Sequence, residues 1–213
     1  MVIHIIKLSS VSSGQSYQTP DWIQARLLEA GYGLHHCVVD ILNYAMLETG
    51  QPFHAYSGQL TDNFSVGLGQ THEVDLLNGE TAKIDEQTLT VRNEEKPVCI
   101  AGYMGMDASA SSENDTSIYL EAAGFDSAQV AYHCRRYAWH TQSGSRFERG
   151  IDFNNTANAI QRAIDLLIDH AGYKPEYRLY GQGSAAMDQT ITLPYSLVGS
   201  ILGFSCSKEK IHT

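Results

Sequence analysis

The sequence has no cysteines spaced to share a metal ion or to suggest a disulfide framework. Cys37, Cys99, Cys134 and Cys206 are scattered and form no C-x-x-C pair. They are expected as buried small hydrophobes. There is no run of about 18 apolar residues to span a bilayer, and the opening MVIHIIKLSS lacks the basic start and long apolar stretch of a secretory signal. A cytoplasmic setting with no membrane partner is the expectation. Positive charge is also scarce: 14 Lys and Arg against 24 Asp and Glu give a formal net charge of −10. That balance excludes strong nucleic-acid binding through overall charge, because neutralising phosphates needs clustered cations. One local cluster exists, with Arg135, Arg136, Arg146 and Arg149 inside fifteen residues. No motif for ATP or for a metal ion is present.

What is present suffices for a core, since 43% of the 213 residues are hydrophobic. Residues 2–7 are an apolar run suited to a buried strand. Thr19 and Pro20 supply an N-cap and a first helical residue for an amphipathic helix that closes at Gly31. Residues 63–69 read as a short strand, and Asn78-Gly79 between Leu76-Leu77 and Thr81-Ala82 is a strong hairpin signal, followed by a turn at Asp85-Glu86. The middle of the chain is therefore antiparallel. Residues 97–100 enter the glycine-containing turn AGYMGM, where backbone can approach a ligand closely. SIYLEA, residues 117–122, alternates as a strand and delivers Glu121 near its end. A glutamate is seldom fully buried without a partner, so Glu121 stands either at a wet sheet edge or in a pocket with one.

Asp126 caps a helix running to about Trp139, and HTQSGSRFERG then reads as a polar loop with basic ends. Asn155 opens a strongly amphipathic helix through Ile160, Ile164, Leu167, Ile168 and Ala171 to Gly172. Residues 173–187 read as a connector, 190–193 as a strand, and 196–202 and the stretch from Ser207 as helices. These last elements are too few to bury a core, so 1–175 is expected as one module and 176–213 as a connector with the truncated start of a further domain.

The densest polar constellation lies in DILNYAMLETGQPFHAY, residues 40–56. Asp40 is placed to cap a helix whose apolar face is Ile41, Leu42 and Ala45, and Gly50 suits the left-handed residue that ends it. Pro52 ends helical pairing, which puts Phe53 and His54 on a constrained loop with Asn43 one or two turns back. An amide and an imidazole are thus brought close. Asn43 and His54 read either as a turn cap with a satisfied, half-buried histidine or as parts of a site.

Several motifs taken together, VVDILNYAMLETGQPFHAY, LLNGE, IDEQTLTV, AGYMGM, YLEAAGFD and CRRYAWHTQSGSRFERGID, resemble the editing module of the bacterial phenylalanyl-tRNA synthetase beta subunit, its third and fourth domains, over about residues 15–172. ITLPYSLVGSILG resembles the entry to the next domain. The resemblance implies an α+β fold of antiparallel β-sheets layered with helices, a β/β/α sandwich. It implies hydrolysis of tyrosine wrongly esterified to phenylalanine tRNA, with His54 and Glu121 carrying the reaction and Asn43, Gly102, Gly105, Thr141 and Ser143 binding the substrate. Glu121 would accept the phenolic proton and be left unpaired by phenylalanine. Arg135, Arg136, Arg146 and Arg149 would contact RNA. The implied partners are phenylalanine tRNA, the alpha subunit and the rest of the beta subunit. No cofactor is expected in this segment, ATP and magnesium serving the whole ligase.

Two departures from the family pattern bear on the ester side of the pocket. Leu42 stands where the family has threonine, and the loop that commonly reads HTDAS is HTQSG here, which brings in Gln142 and Ser143. Two further readings stay open: a module that holds tRNA or scaffolds the synthetase without cleaving, and a free-standing aminoacyl-tRNA-binding protein of the same fold.

Overall fold

The computed structural model describes residues 1–11, 17–138, 140–183 and 190–212. Ten strands and seven helices follow one another as β1 (Val2–Ser10), α1 (Asp21–Glu29), α2 (Cys37–Thr49), β2 (Phe53–Ser57), β3 (Phe64–Leu68), β4 (His72–Asp75), β5 (Thr81–Ile84), β6 (Leu89–Asn93), β7 (Lys96–Ile100), β8 (Met104–Gly105), β9 (Ser117–Gly124), α3 (Ser127–Tyr137), α4 (Gln142–Phe147), α5 (Thr156–Ala171), β10 (Tyr173–Gly183), α6 (Tyr195–Leu202) and α7 (Lys208–His212). Among the described residues all these strand pairings are antiparallel.

Side-chain alternation along the central strands explains the layering. The first sheet runs β10-β1-β9-β2. On β9, Ile118, Leu120 and Ala122 pack with Ile23 and Leu27 of α1, Ile41 and Ala45 of α2, and Ile164 and Leu167 of α5. The intervening Tyr119 and Ala123 face the other way, with Ile3 and Ile5 of β1, and meet Val91, Val98 and Cys99 of the second sheet, β3-β6-β7-β8. The order of layers is therefore helices, first sheet, second sheet. Each fully buried Leu or Ile in these layers contributes about 1.5–3 kcal/mol, and Leu27, Ile41, Leu120 and Leu167 are wholly buried. The β4-β5 hairpin turns at Gly79, whose φ of +81° is one that glycine adopts without strain. An α+β fold with antiparallel sheets covered by helices is thus what forms.

Several local expectations are corrected. Phe53 and His54 lie in a strand, β2, because the backbone freed at Pro52 pairs with β9 instead of looping. Asp40 does not cap α2, which starts three residues earlier. It is buried inside the first turn and accepts from Thr19 Oγ1 (2.7 Å) and His35 N (2.7 Å), so Thr19 is engaged there and does not cap α1. The HTQSGSRFERG segment contains α4. The supposed connector is largely β10, which pairs with β1 along its length; residues 184–187 lie outside the described ones, as does Trp139, expected near the end of α3, which stops at Tyr137. Residues 190–193 carry no strand. Of the four cysteines, Cys37 and Cys99 are buried, whereas Cys134 and Cys206 are only partly so.

Candidate active site

A cavity of about 250 Å³ opens where α2, β2, β9, the 101–105 turn and the start of α4 meet. Asn43, His54 and Glu121 line it, as do Gly102, Gly105, Thr141 and Ser143. These seven positions are separated by as many as a hundred residues in sequence and share one space.

Strand register sets the central pair. His54 on β2 stands directly opposite Glu121 on β9, so both side chains leave the sheet on one face. Two residues on, Tyr56 shares that face and donates its hydroxyl to Glu121 Oε2. Its ring meets the His54 ring edge-on, with centroids 4.4 Å apart. Of the sheet-edge and pocket alternatives for Glu121, the structure shows the pocket, with Glu121 5% exposed. Burial pushes its carboxyl up to about 7, an effect the Tyr56 hydrogen bond partly offsets. Burial likewise pushes the His54 imidazole down to about 4. Among the described residues, His54 Nε2 is buried without a hydrogen-bond partner. A neutral imidazole and a carboxylate close to neutrality therefore sit side by side.

The glycine turn is required by contact as well as by conformation. Gly102 has φ of +69°. A methyl on Gly105 would come within 2.5 Å of His54 Cε1 and 2.7 Å of Nε2, so that edge of the imidazole occupies the space a side chain would fill. The N–H groups of Tyr103 and Met106 are committed to Ile100 O and Val98 O.

Thr141 is the N-cap of α4. Its hydroxyl accepts from Gly144 N (2.8 Å) and donates to Tyr103 O (3.1 Å). Its single proton is thus in use, and Thr141 ties α4 to the glycine turn; toward a ligand it can only accept. Asn43, half-buried, lines the cavity and among the described residues its amide has no side-chain partner, so it can donate on that side. Leu42 lines the cavity, but Gln142 does not: it is exposed and accepts from Tyr32 and Arg146.

The four arginines do not form one patch. Arg136 pairs with Asp85 (2.8 Å) and lies over the rings of Tyr132 and Tyr137. Arg135, exposed beside it, is in the last turn of α3. Arg146 and Arg149 line a second cavity, of about 350 Å³, with Ser145, Gly50 and Gln51. The wall between the two cavities is α4 and the 51–53 segment, since Gln51 faces one and Pro52 and Phe53 the other.

Sequence reasoning missed Tyr56, and also Cys99, Phe53 and Phe147, which line the cavity. The signal for Tyr56 was its place two residues after His54, which puts it on the same face once the segment is seen as a strand.

The architecture and this pocket define the class: the B3/4 domain family model matches residues 9–172, and the chain belongs to that family. It is similar to the phenylalanine–tRNA ligase beta subunit of Psychrobacter arcticus, at 33% identity over 201 residues, 92% of this chain and 25% of that protein. It is also similar to the same subunit of Hahella chejuensis, at 39% identity over 162 residues, 75% of this chain and 20% of that protein. The chain spans a quarter or less of the length of these relatives. Among solved structures, an N-terminal fragment of the phenylalanyl-tRNA synthetase beta subunit from Pyrococcus horikoshii aligns with a TM-score of 0.43 at 7% identity, covering 99% of this chain and 58% of that one. No helix among the described residues is long and apolar enough to cross a membrane.

Proposed function

We propose that the cavity hydrolyses the ester joining tyrosine to phenylalanine tRNA, so clearing tyrosine attached in error. The observation that carries this reading is a buried carboxylate, Glu121, in a largely apolar pocket, opposite an imidazole whose Nε2 lacks a partner among the described residues. A pocket built for phenylalanine rejects an added hydroxyl only about a hundredfold, so a second sieve that wants the hydroxyl is needed. Glu121 supplies that demand. Ionised, it accepts the phenolic proton; phenylalanine would leave it desolvated and unmet. His54, neutral at physiological pH, accepts a hydrogen bond from the attacking water. With so low a pKa it is a weak base, so its task is chiefly to orient that water. The water oxygen adds to the ester carbonyl, the bond to the ribose oxygen breaks, and the ribose hydroxyl leaves with a proton. Asn43 holds the ester side, and Arg146 and Arg149 take phosphates of the tRNA end, with Arg135 further out. The alpha subunit, the rest of the beta subunit, ATP and magnesium belong to the ligation reaction outside this segment.

A module that binds the ester without cleaving it is the second reading, favoured by Leu42 and by the committed proton of Thr141. One assay separates the two: release of tyrosine and of phenylalanine from the same tRNA by the full chain. The parent should release tyrosine preferentially. Glu121→Ala should lose a charge-assisted hydrogen bond of about 1.5–3 kcal/mol, roughly ten- to a hundredfold in that preference. His54→Ala should slow turnover more than it changes preference. A Glu121→Ala chain that clears tyrosine as well as the parent would refute the assignment.

A further inference from the structure

We infer that Tyr56 is a positioning residue for specificity: by occupying one oxygen of Glu121, it fixes the carboxylate and leaves the other oxygen to receive the hydroxyl of a tyrosine ligand. The identity of the ligand rests on the editing reading above; the geometry does not. Tyr56 is fully buried, and its hydroxyl donates to Glu121 Oε2. Its ring meets His54 edge-on at 4.4 Å and Phe64 at a tilt at 5.5 Å, and Phe64 in turn packs on Tyr119 at 5.0 Å. Burial between two rings favours this one placement of the phenol beside the carboxylate. The contact is itself a phenol on a carboxylate, the pairing a tyrosine substrate would offer to Oε1. Two donors on two oxygens is ordinary for a carboxylate, which has about four lone-pair sites.

Tyr56 also governs whether Glu121 is ionised. The groups facing Glu121 are His54 and Tyr56 from β2, Cys99 from β7 and, on β9 itself, Tyr119, whose hydroxyl is engaged by Asp62 (2.6 Å) and Leu60 O (3.2 Å). From β1 the opposite residue is Ile5, which does not titrate. Asn43, Thr141 and Ser143, on the helices that border the cavity, do not titrate either. Among the described residues no cation pairs with Glu121, so the hydroxyl of Tyr56 is the side-chain hydrogen bond that favours its charged form. That hydroxyl remains a donor throughout the physiological range, since burial and then the Glu121 charge raise its own pKa well above the usual phenol value.

The test uses the full chain with two non-hydrolysable probes, the tyrosyl and phenylalanyl amides of 3′-amino-3′-deoxyadenosine. It also follows the titration of the Glu121 carboxyl by infrared difference against Glu121→Gln. In Tyr56→Phe the Glu121 titration should move upward, and the preference for the tyrosyl amide at pH 7 should fall roughly tenfold. Raising the pH to 9 should restore most of that preference, a rescue that a merely structural defect would not show. Should Tyr56→Phe fold poorly, 3-fluorotyrosine at position 56 keeps ring and hydroxyl while donating more strongly, and should move the Glu121 titration downward. A titration unmoved by either change overturns the inference, as does a moved titration with unchanged preference. A parent that prefers the tyrosyl amide yet leaves tyrosyl-tRNA intact sinks the hydrolase reading alone. A parent that hydrolyses the ester while Tyr56→Phe keeps its preference sinks this inference alone.

Discussion

Glu121 and His54 stand opposite one another, and burial displaces their protonation equilibria in opposite directions. Glu121 titrates near 7 in the folded chain against 4.5 when unfolded. The folded state thus binds its proton more tightly, and the associated stability is present below pH 4.5 and lost as pH rises through 7. His54 titrates near 4 against 6.5, so its contribution is present above pH 6.5 and lost as pH falls through 4. Between about pH 4.5 and 6.5 the two slopes cancel. Above pH 7 the ionised Glu121 costs the fold on the order of 3 kcal/mol. Glu121→Gln removes the ionisation while keeping the shape. Its stability advantage over the parent should therefore grow from pH 4.5 to pH 8, reaching about 1–3 kcal/mol, in urea unfolding followed at each pH. A difference that does not vary with pH would show that Glu121 is not the buried, weakly acidic group described here.

Among the elements, those that carry their own periodicity were legible. The helix ending at Gly172 and the hairpin around Asn78-Gly79 were legible because apolar spacing and turn chemistry are local properties. β2 was not, since Pro52 signals an end and the five residues after it gain their backbone partners from β9, more than sixty residues away. β10 was hidden for the same reason, its partner being the first strand of the chain. α4 is short and rich in Ser and Gly; it exists because Thr141 caps it and is itself anchored on Tyr103 O. The candidate site residues came from motif resemblance, while their convergence on one cavity depends on strand register that no local pattern encodes. The contact between β8 and β2 supplies the test at this scale. Gly105→Ala places a methyl where the His54 ring lies, so it should displace the imidazole, cost about 1–3 kcal/mol as overpacking does, and lower turnover at unchanged tyrosine preference. Retention of full turnover in a folded Gly105→Ala chain would show that the ring position is not needed.

Across the whole molecule, a formal charge of −10 opposes approach to RNA, and any affinity must come from where cations gather against that background. The structure separates the four candidate arginines by their existing engagements. Arg136 is held by Asp85 and two tyrosine rings. Arg146 and Arg149 each use Nη1 on a residue four positions earlier, Gln142 and Ser145, which leaves the other donors of a five-donor guanidinium for phosphate. Their cavity shares a wall with the proposed catalytic one, so a chain whose terminal ester enters the first can lay its backbone in the second. Each phosphate contact on a single strand contributes about 0.7 to the slope of log affinity against log salt. Replacing both Arg146 and Arg149 by Gln should therefore weaken tRNA binding by the full chain and flatten that slope by roughly 1.4. Hydrolysis of a tyrosyl ester on a bare nucleoside, which lacks those phosphates, should be nearly unchanged. Arg136→Gln should do the reverse, lowering thermal stability through Asp85 while leaving the salt slope in place. Binding isotherms at several salt concentrations decide it: an unaltered slope in the double variant would move the RNA track off this face and onto Arg135 and its surroundings.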